Sequence, residues 1–252
     1  MVTGRQDAID DVKRRLAALT PCFRVRWQPV TVAETRFDLA VCASGEDLLS
    51  ALASAGPDHP SVRDERLPYW TELWPSARAL AERVAERASA WAGLRVLDLG
   101  CGLGLAGLAA GRCGARVVLC DYDEGAARFA ALNWAANLGG PAAVMVMDWR
   151  APACGAEFDR ILAADIVYEK RFYRPVLEAF DRLLKPDGEV WLAEPNRTFS
   201  SDFFDLVRSA GYRYRREERR VAAPNPDCPT TVSVYEIRRT PESENDCERK
   251  PT

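Results

Sequence analysis

Hydrophobic and polar positions follow two different periods along the chain, and together they predict strands and helices in regular succession. Short apolar runs bounded by turn residues predict strands, whereas apolar residues spaced three and four positions apart predict amphipathic helices. The predicted strands span residues 96–99, 116–120, 143–147, 158–164 and 190–193, and the predicted helices span residues 124–138, 174–184 and 201–209. This succession is typical of a sheet with helices on both faces, so the sequence predicts an α/β fold with a doubly wound sheet.

The chain on either side of this alternating part has a different pattern. A helix is predicted over residues 7–19, and apolar and polar residues alternate over 24–42, as in an antiparallel hairpin outside the main sheet. Apolar residues at helical spacing follow Ser76, which we interpret as the N-cap of a helix. Strands over 212–221 and 231–238 are predicted to close the fold as antiparallel neighbours. We therefore divide the chain into an N-terminal helix and hairpin extension (1–66), a main domain (67–239) and a disordered polar tail (240–252).

Composition narrows the class of protein. The chain has 252 residues, of which 48% are hydrophobic and 28% charged, a balance typical of a globular domain with one sizeable core. Its formal net charge of -3 provides no overall attraction to a phosphate backbone, so we expect no nucleic acid partner. The eight cysteines include no C-x-x-C pair, which favours reduced thiols over a disulfide framework or a metal site. No apolar run is long enough to span a membrane and no signal core begins the chain, so we expect a cytoplasmic protein without membrane contact.

A glycine-rich stretch at residues 95–107, RVLDLGCGLGLAG, joins a predicted strand to a predicted helix. Gly100, Gly102 and Gly104 allow the backbone to turn tightly against a ligand, at a point where a helix N-terminus also faces that ligand. Residues 102–107 formally match the dinucleotide fingerprint G-x-G-x-x-G. Asp98 ends the strand just before the first glycine, however, and an acid there suits a cofactor with a cationic end. The stretch therefore favours S-adenosylmethionine over NAD, with a simple tight turn as the alternative.

Acidic residues also stand at the ends of the following strands, namely Asp121, Asp148 and Asp165. In open α/β sheets, ligands bind beyond the carboxyl ends of the strands, where these side chains meet. Asp121 follows Gly102 by 19 residues (121 minus 102), close to the offset at which an acid accepts ribose hydroxyl groups. We expect Tyr122 to cover the adenine face, and Asp148 and Trp149 to bound the adenine through a carboxylate and an apolar wall. The alternative for Asp121 and Asp148 is an ordinary acid in a turn.

The motif D-x-G-x-G-x-G at residues 98–104 resembles motif I of the class I, seven-stranded methyltransferases. The tetrad Asp165-Ile166-Val167-Tyr168, of the form D-x-x-Y, and the helix entry W-P-S-A at 74–77 are similar to methyltransferase family 16, whose members methylate protein lysines. The segment LPYWTELWPSARALAERV is particularly similar to the branch with the electron-transfer flavoprotein β subunit lysine methyltransferases. The resemblance covers residues 67–239.

This resemblance implies a Rossmann-like, twisted seven-stranded sheet, S-adenosylmethionine as methyl donor, and a lysine site around the D-x-x-Y segment. It also implies that Trp74 lines the methionine end of the cofactor pocket and that Asp165 borders the cofactor. Methyl transfer to an amine requires the nitrogen to lie in line with the methyl carbon and to have lost its proton. We expect Asp165 to align the amine and Tyr168 to orient it, the alternative being a capping acid and a core tyrosine.

Two further residues, Glu194 and Asn196, follow the next strand and are weaker candidates for substrate contacts, with a turn as an equal alternative. A run of arginines at 213–220 is interpreted as a solvated strand edge, and docking of an acidic substrate is the lesser interpretation. His59 lies in a loop and is expected to have no catalytic role.

The sequence thus predicts an S-adenosylmethionine-dependent N-methyltransferase that acts on a lysine of a partner protein. The alternatives are a small-molecule amine N-methyltransferase and, less favoured, a non-catalytic cofactor-binding module. The oligomeric state is left open, with a monomer among the options.

Overall fold

Secondary structure follows the predicted order in the computed structural model, which describes residues 2–58, 60–153, 155, 157–221 and 230–241. The N-terminal part forms α1 (Val2–Leu19), β1 (Val25–Val32), β2 (Thr35–Cys42), α2 (Gly45–Ser54) and α3 (Pro60–Arg63), followed by a 3-10 turn (Tyr69–Thr71). The main part forms α4 (Pro75–Glu86), a 3-10 turn (Ala88–Ala90), β3 (Arg95–Leu99), α5 (Leu105–Arg112), β4 (Arg116–Asp121), α6 (Glu124–Leu138), β5 (Ala143–Val146), β6 (Phe158–Ala164), a 3-10 turn (Lys170–Phe172), α7 (Tyr173–Leu183), β7 (Leu184–Glu194), α8 (Ser200–Ser209), β8 (Tyr212–Val221) and β9 (Thr230–Arg239).

The central sheet has seven strands in the order β5-β4-β3-β6-β7-β9-β8. The first five of these are parallel, whereas β9 is antiparallel to both β7 and β8. From β3 the chain passes first to β4 on one side and returns later to β6 on the other. The order therefore reverses at β3, and the crevice that ligands use in such sheets opens beyond the carboxyl ends of β3, β4 and β6. The predicted doubly wound, seven-stranded α/β fold is confirmed.

Successive residues of the central strands face opposite sides of the sheet, and each side has its own apolar cluster. Val96 packs on the side that carries α4, α5, α6 and the N-terminal hairpin. Leu97 and Leu99 pack on the side that carries α7 and α8. Because β3 is covered from both sides, residues 96–99 are all buried, as is typical of a central parallel strand.

The N-terminal hairpin forms a separate two-stranded sheet, as predicted. Its strand β2 is joined to α6 by two asparagine side chains one helical turn apart. Asn133 accepts the Ala40 N–H at 2.6 Å and donates to the Ala40 carbonyl at 3.1 Å, and Asn137 makes the corresponding bonds to Asp38 at 2.8 and 3.0 Å. The side-chain amides thus continue the backbone pairing of β2 and cover an edge that would otherwise be open.

Two local predictions are wrong. The helix α4 begins at Pro75 with Trp74 at the N-cap, because proline favours the first helical position, and Ser76 is a buried residue inside the helix. The strand predicted over residues 190–193 begins earlier, at Leu184: Phe158 pairs with Leu184 and Arg160 with Glu189, so residues 185–188 bulge out of the ladder.

Several predictions fall partly or wholly outside the described residues. Those for His59 and for Cys154, Cys228 and Cys247 lie outside them, as does the tail from residue 242 onward. The cysteines at 22, 42, 101, 113 and 120 form no disulfide bond within the described part of the chain. Among the described helices, none combines the length and the hydropathy that a membrane-spanning helix needs.

Candidate functional site

A pocket of about 320 Å³ opens at the carboxyl ends of β3, β4 and β6. Its floor is the glycine loop, residues 100–105, and its walls come from the segments after β4, β5 and β6. The 3-10 turn before α4 and the first turn of α4 form its rim. Within the described part of the chain, no group of histidine, cysteine and acidic residues is arranged to hold a metal ion.

The glycine loop has the backbone conformation that the sequence predicts. Gly100, Gly102 and Gly104 have φ values of 67°, 50° and 82°, in the region that glycine adopts most easily. A Cβ on Gly100 would lie 2.6 Å from Cγ2 of Ile166, within the D-x-x-Y segment. The loop therefore approaches that segment at a distance that only glycine permits.

Asp98 lies beneath the loop and does not line the pocket. It is 1% exposed and accepts the Gly107 N–H at 2.8 Å, so it joins the end of β3 to the first turns of α5. Burial raises its pKa from 3.8 to about 7. The structure thus places this carboxyl where it fixes the loop, rather than where it would face a cofactor directly.

Asp121 lines the pocket and also holds the loop. Its two oxygens accept the N–H groups of Gly102 at 2.9 Å and of Asp123 at 3.0 Å. Burial raises its pKa to about 6 although the backbone donors at Asp123 and Gly102 lower it. Beside it, the rings of Tyr122 and Trp149 meet edge to face with centroids 5.2 Å apart, and both line the pocket.

Asp148 is not on the pocket wall, because arginines engage it. Arg150 donates to both oxygens of Asp148 and, with Nη1 and Nη2, to both oxygens of Asp64 at 2.6 Å each. Arg66 lies 3.6 Å from Asp148 and over the ring of Tyr122, 5.4 Å from its centroid. Burial would raise the pKa of Asp148, but its contacts with Arg150 outweigh this effect and lower it. These charged residues connect the segment before α4 to the loop after β5; we call them the Asp64–Arg150 clasp.

Asp165 stands at the opposite end of the pocket and is held from three sides. Its backbone has a φ of 59°, unusual for a residue with a side chain, and its N–H donates to the Ala193 carbonyl at 2.8 Å. Nη1 of Arg197 contacts one carboxylate oxygen, and the Ser76 hydroxyl lies 3.5 Å from the other. The structure thereby brings the ends of β6 and β7 and the start of α4 to one carboxylate.

Aromatic side chains flank this carboxylate. Trp74 and Tyr69 line the pocket at its rim, with exposed fractions of 38% and 41%. The Trp74 Nε1–H donates to the Tyr69 carbonyl at 2.8 Å, and the Tyr69 ring packs on Tyr168 with centroids 5.6 Å apart. Burial raises the pKa of Tyr168 well above its usual value, which keeps the phenol protonated.

Glu194 and Asn196 do not line this pocket. Glu194 is 1% exposed and accepts the Arg197 N–H at 3.1 Å, while Asn196 has a φ of 59° and donates to the Thr231 carbonyl at 3.2 Å. Both residues fix the loop that carries Arg197, and Arg197 itself reaches the pocket. Sequence reasoning missed Arg197, although it directly follows the residues singled out, because no spacing rule shows which side chain of a loop points inward.

Comparisons with known proteins identify a family and relatives of this chain. A family described as lysine methyltransferase has a model that matches residues 69–210. The electron transfer flavoprotein beta subunit lysine methyltransferases of Danio rerio and Xenopus laevis are 35% and 33% identical over 140 and 141 residues, covering 54% and 53% of this chain. The chain spans about half the length of these relatives, 53% and 55%.

Among solved structures, the Burkholderia thailandensis 1,6-didemethyltoxoflavin-N1-methyltransferase, which holds S-adenosylhomocysteine, superposes with a TM-score of 0.53 at 19% identity. The match covers 85% of this chain and 100% of that one. At this identity the likeness concerns the fold.

Proposed function

Because the chain belongs to the lysine methyltransferase family, we propose that it transfers a methyl group from S-adenosylmethionine to a lysine side chain of a partner protein. The observation that carries the proposal is one pocket with two chemically different ends. One end has the glycine loop and Asp121, and the other has Asp165, Tyr168 and an aromatic rim.

The residues at the first end fit the cofactor. A carboxylate at Asp121 suits the ribose hydroxyl groups, and the apolar faces of Tyr122 and Trp149 suit an adenine ring. The loop packs against Ile166 too closely for a Cβ at Gly100, and Gly100 and Trp74 both line the pocket, where they suit the methionine part of the cofactor. S-adenosylmethionine, when bound, supplies an electrophilic methyl carbon on a positively charged sulfur.

Asp98 and Asp148 affect the cofactor site by fixing the segments that they contact. Asp98 fixes the glycine loop from below, and Asp148 belongs to the Asp64–Arg150 clasp beside the adenine end. We therefore propose that both act on cofactor binding through the position of the pocket walls. In this proposal, Glu194 and Asn196 act on the substrate side through the Arg197 loop.

The second end fits a lysine side chain. Tyr69, Trp74 and Tyr168 offer apolar surface to its methylene stem, and their ring faces attract a cationic amine. Asp165 accepts a hydrogen bond from the amine and aligns it, while the protonated phenol of Tyr168 orients the nitrogen. A free lysine has a pKa of about 10.4, so it must lose its proton to solvent before attack. The positive charge of Arg197 beside Asp165 favours the neutral amine.

The test uses cell lysate and S-adenosylmethionine with a labelled methyl group. We expect label in a protein, on a lysine located by mass spectrometry. Label only in small molecules would instead support an amine N-methyltransferase of another class, and no label with intact cofactor binding would support a non-catalytic module.

The variant Asp165→Asn separates alignment from cofactor binding. We expect it to bind the cofactor with nearly unchanged affinity in calorimetry, but to methylate about tenfold to a hundredfold more slowly, as loss of a positioning group does. The matched control is Asp187→Asn, an exposed acid in the β7 bulge away from the pocket. Normal turnover by Asp165→Asn would contradict the proposed role.

A further inference from the structure

The Asp165 carboxylate has two hydrogen-bonding side chains around it within the described part of the chain, and each contacts a different oxygen. Nη1 of Arg197 donates to Oδ1, and the hydroxyl of Ser76 lies 3.5 Å from Oδ2. The Asp165 side chain is only 8% exposed, so water has little access to its oxygens. Oδ2 therefore depends on Ser76, because a buried carboxylate oxygen needs a donor.

Ser76 is well placed for this contact. It lies in the first turn of α4 with 0% exposure, and its hydroxyl bonds no other residue in the described ranges. The contact joins the start of α4 to the end of β6, across 89 residues of chain. Trp74, the N-cap of the same helix, lines the pocket, so one short segment supplies both a ring of the rim and a donor to Asp165.

The backbone of Asp165 does not by itself fix the two carboxylate oxygens. Its N–H donates to the Ala193 carbonyl at 2.8 Å, which holds the main chain in place. Rotation about the Cβ–Cγ bond is only weakly restricted, so the carboxylate can turn while the backbone stays still. The contacts to the two oxygens therefore determine which way the carboxylate faces.

Arg197 could contact both oxygens. A guanidinium presents parallel N–H groups that match a carboxylate, and such two-bond pairs are strong and frequent. In this structure only Nη1 of Arg197 donates to Asp165, and no other side chain in the described part accepts a bond from that guanidinium. A two-bond pair would occupy Oδ2, the oxygen that now faces Ser76.

We infer that Ser76 is a positioning residue, whose hydroxyl keeps Oδ2 of Asp165 from pairing with Arg197 and so leaves it available to the lysine amine. The inference rests on the proposed function, since it takes Asp165 as the group that aligns the amine. A carboxylate oxygen has two lone pairs, so Oδ2 can accept from the Ser76 hydroxyl and from the amine together. Without Ser76, the guanidinium pairs with both oxygens and competes with the amine for Oδ2.

Crystal structures of the unmodified protein and of Ser76→Ala, both with S-adenosylhomocysteine, test the inference without a substrate. We expect Arg197 to contact Oδ1 alone in the unmodified protein, and to donate to both oxygens of Asp165 in the variant. The same carboxylate orientation and the same single contact in both structures would overturn the inference.

Rates of methyl transfer to the protein labelled in the lysate test the consequence for the reaction. We expect Ser76→Ala to be about fivefold to tenfold slower at saturating substrates, with unchanged cofactor affinity in calorimetry, as loss of a positioning group does. The control Thr71→Val removes another buried hydroxyl, which bonds the Pro68 carbonyl at 2.9 Å outside the pocket, and should keep the full rate. A normal rate for Ser76→Ala would also overturn the inference.

The same substitution in an Arg197→Lys protein separates this role from a general structural one. An ammonium group cannot form the two-bond pair, so Ser76→Ala should slow Arg197→Lys by less than about twofold. Equal slowing in both proteins would contradict competition by Arg197. If no lysine in any protein is methylated, the proposed function fails, whereas the crystal structures still decide whether Ser76 sets the orientation of Asp165.

Discussion

The two asparagines of α6 allow a sharp test of how the N-terminal hairpin supports the pocket. Asn133 is fully buried, and besides its two bonds to Ala40 it donates to the Leu103 carbonyl at 2.9 Å, within the glycine loop. One side chain therefore joins the hairpin, α6 and the floor of the pocket. Asn137 makes the same pair of bonds to Asp38, but at a partly exposed position and without any bond to the loop.

Replacement by leucine keeps the approximate volume and removes the hydrogen bonds. In Asn133→Leu, the buried Ala40 N–H and two carbonyl groups lose this partner, and an unsatisfied buried group costs about 1 to 3 kcal/mol. Since carbonyls tolerate this loss better than N–H groups, we expect the free energy of unfolding to fall by about 3 kcal/mol. In Asn137→Leu, water can replace the lost partners, and we expect a loss of about 1 kcal/mol.

Urea unfolding followed by tryptophan fluorescence and circular dichroism measures both losses, and calorimetry measures cofactor affinity. We expect Asn133→Leu to weaken cofactor binding as well, because Leu103 lines the pocket, and Asn137→Leu to leave it nearly unchanged. If the two variants lose the same stability, or if Asn133→Leu binds the cofactor normally, the hairpin does not support the loop in the way described.

Three further predictions concern single residues in the pocket or directly beneath it. Arg197→Ala should lower kcat about tenfold or more with little change in cofactor affinity, and Arg197→Lys should restore part of the rate; equal losses in both variants would contradict a charge-based role. Burial raises the pKa of Asp98 from 3.8 to about 7, so between these pH values the folded protein holds a proton that the unfolded chain has released. The stability that protonated Asp98 contributes is therefore lost as the pH rises from about 4 through 7. Asp98→Asn, which can still accept the Gly107 N–H, should therefore show a smaller fall in unfolding free energy over this range in urea titrations. Gly100→Ala should weaken cofactor binding in calorimetry, since its Cβ meets Ile166 at 2.6 Å; normal affinity would show that the loop can shift.

The fold could be predicted because its main signals are local. Each strand from β3 to β7 contains a short apolar run, and each helix repeats its apolar residues at helical spacing. Both patterns can be recognised without knowing which other element the strand or helix packs against. Asp121, Tyr122 and Tyr168 could be placed near the pocket for the same reason, since they directly follow strands whose carboxyl ends share one edge.

The remaining residues depend on distant partners that no local pattern reveals. Asp148 also follows a strand, yet it faces Arg150, which in turn reaches Asp64 across 86 residues of chain. Asn133 and Asn137 are visible as polar positions in an alanine-rich helix, but the strand they bind lies 93 residues or more away. The end of a strand predicts where the backbone places a residue, whereas the charged groups around that residue determine the direction of its side chain.

The contacts that shape the pocket also bear on when it forms during folding. Asn133 and Ala40 are 93 residues apart, Ser76 and Asp165 are 89 apart, and Arg150 and Asp64 are 86 apart. Such contacts close long loops and form slowly, so the pocket is complete only when most of the chain has folded. A ligand bound there must be released before any of these segments separates fully, and it therefore stabilises the whole chain against unfolding rather than one loop.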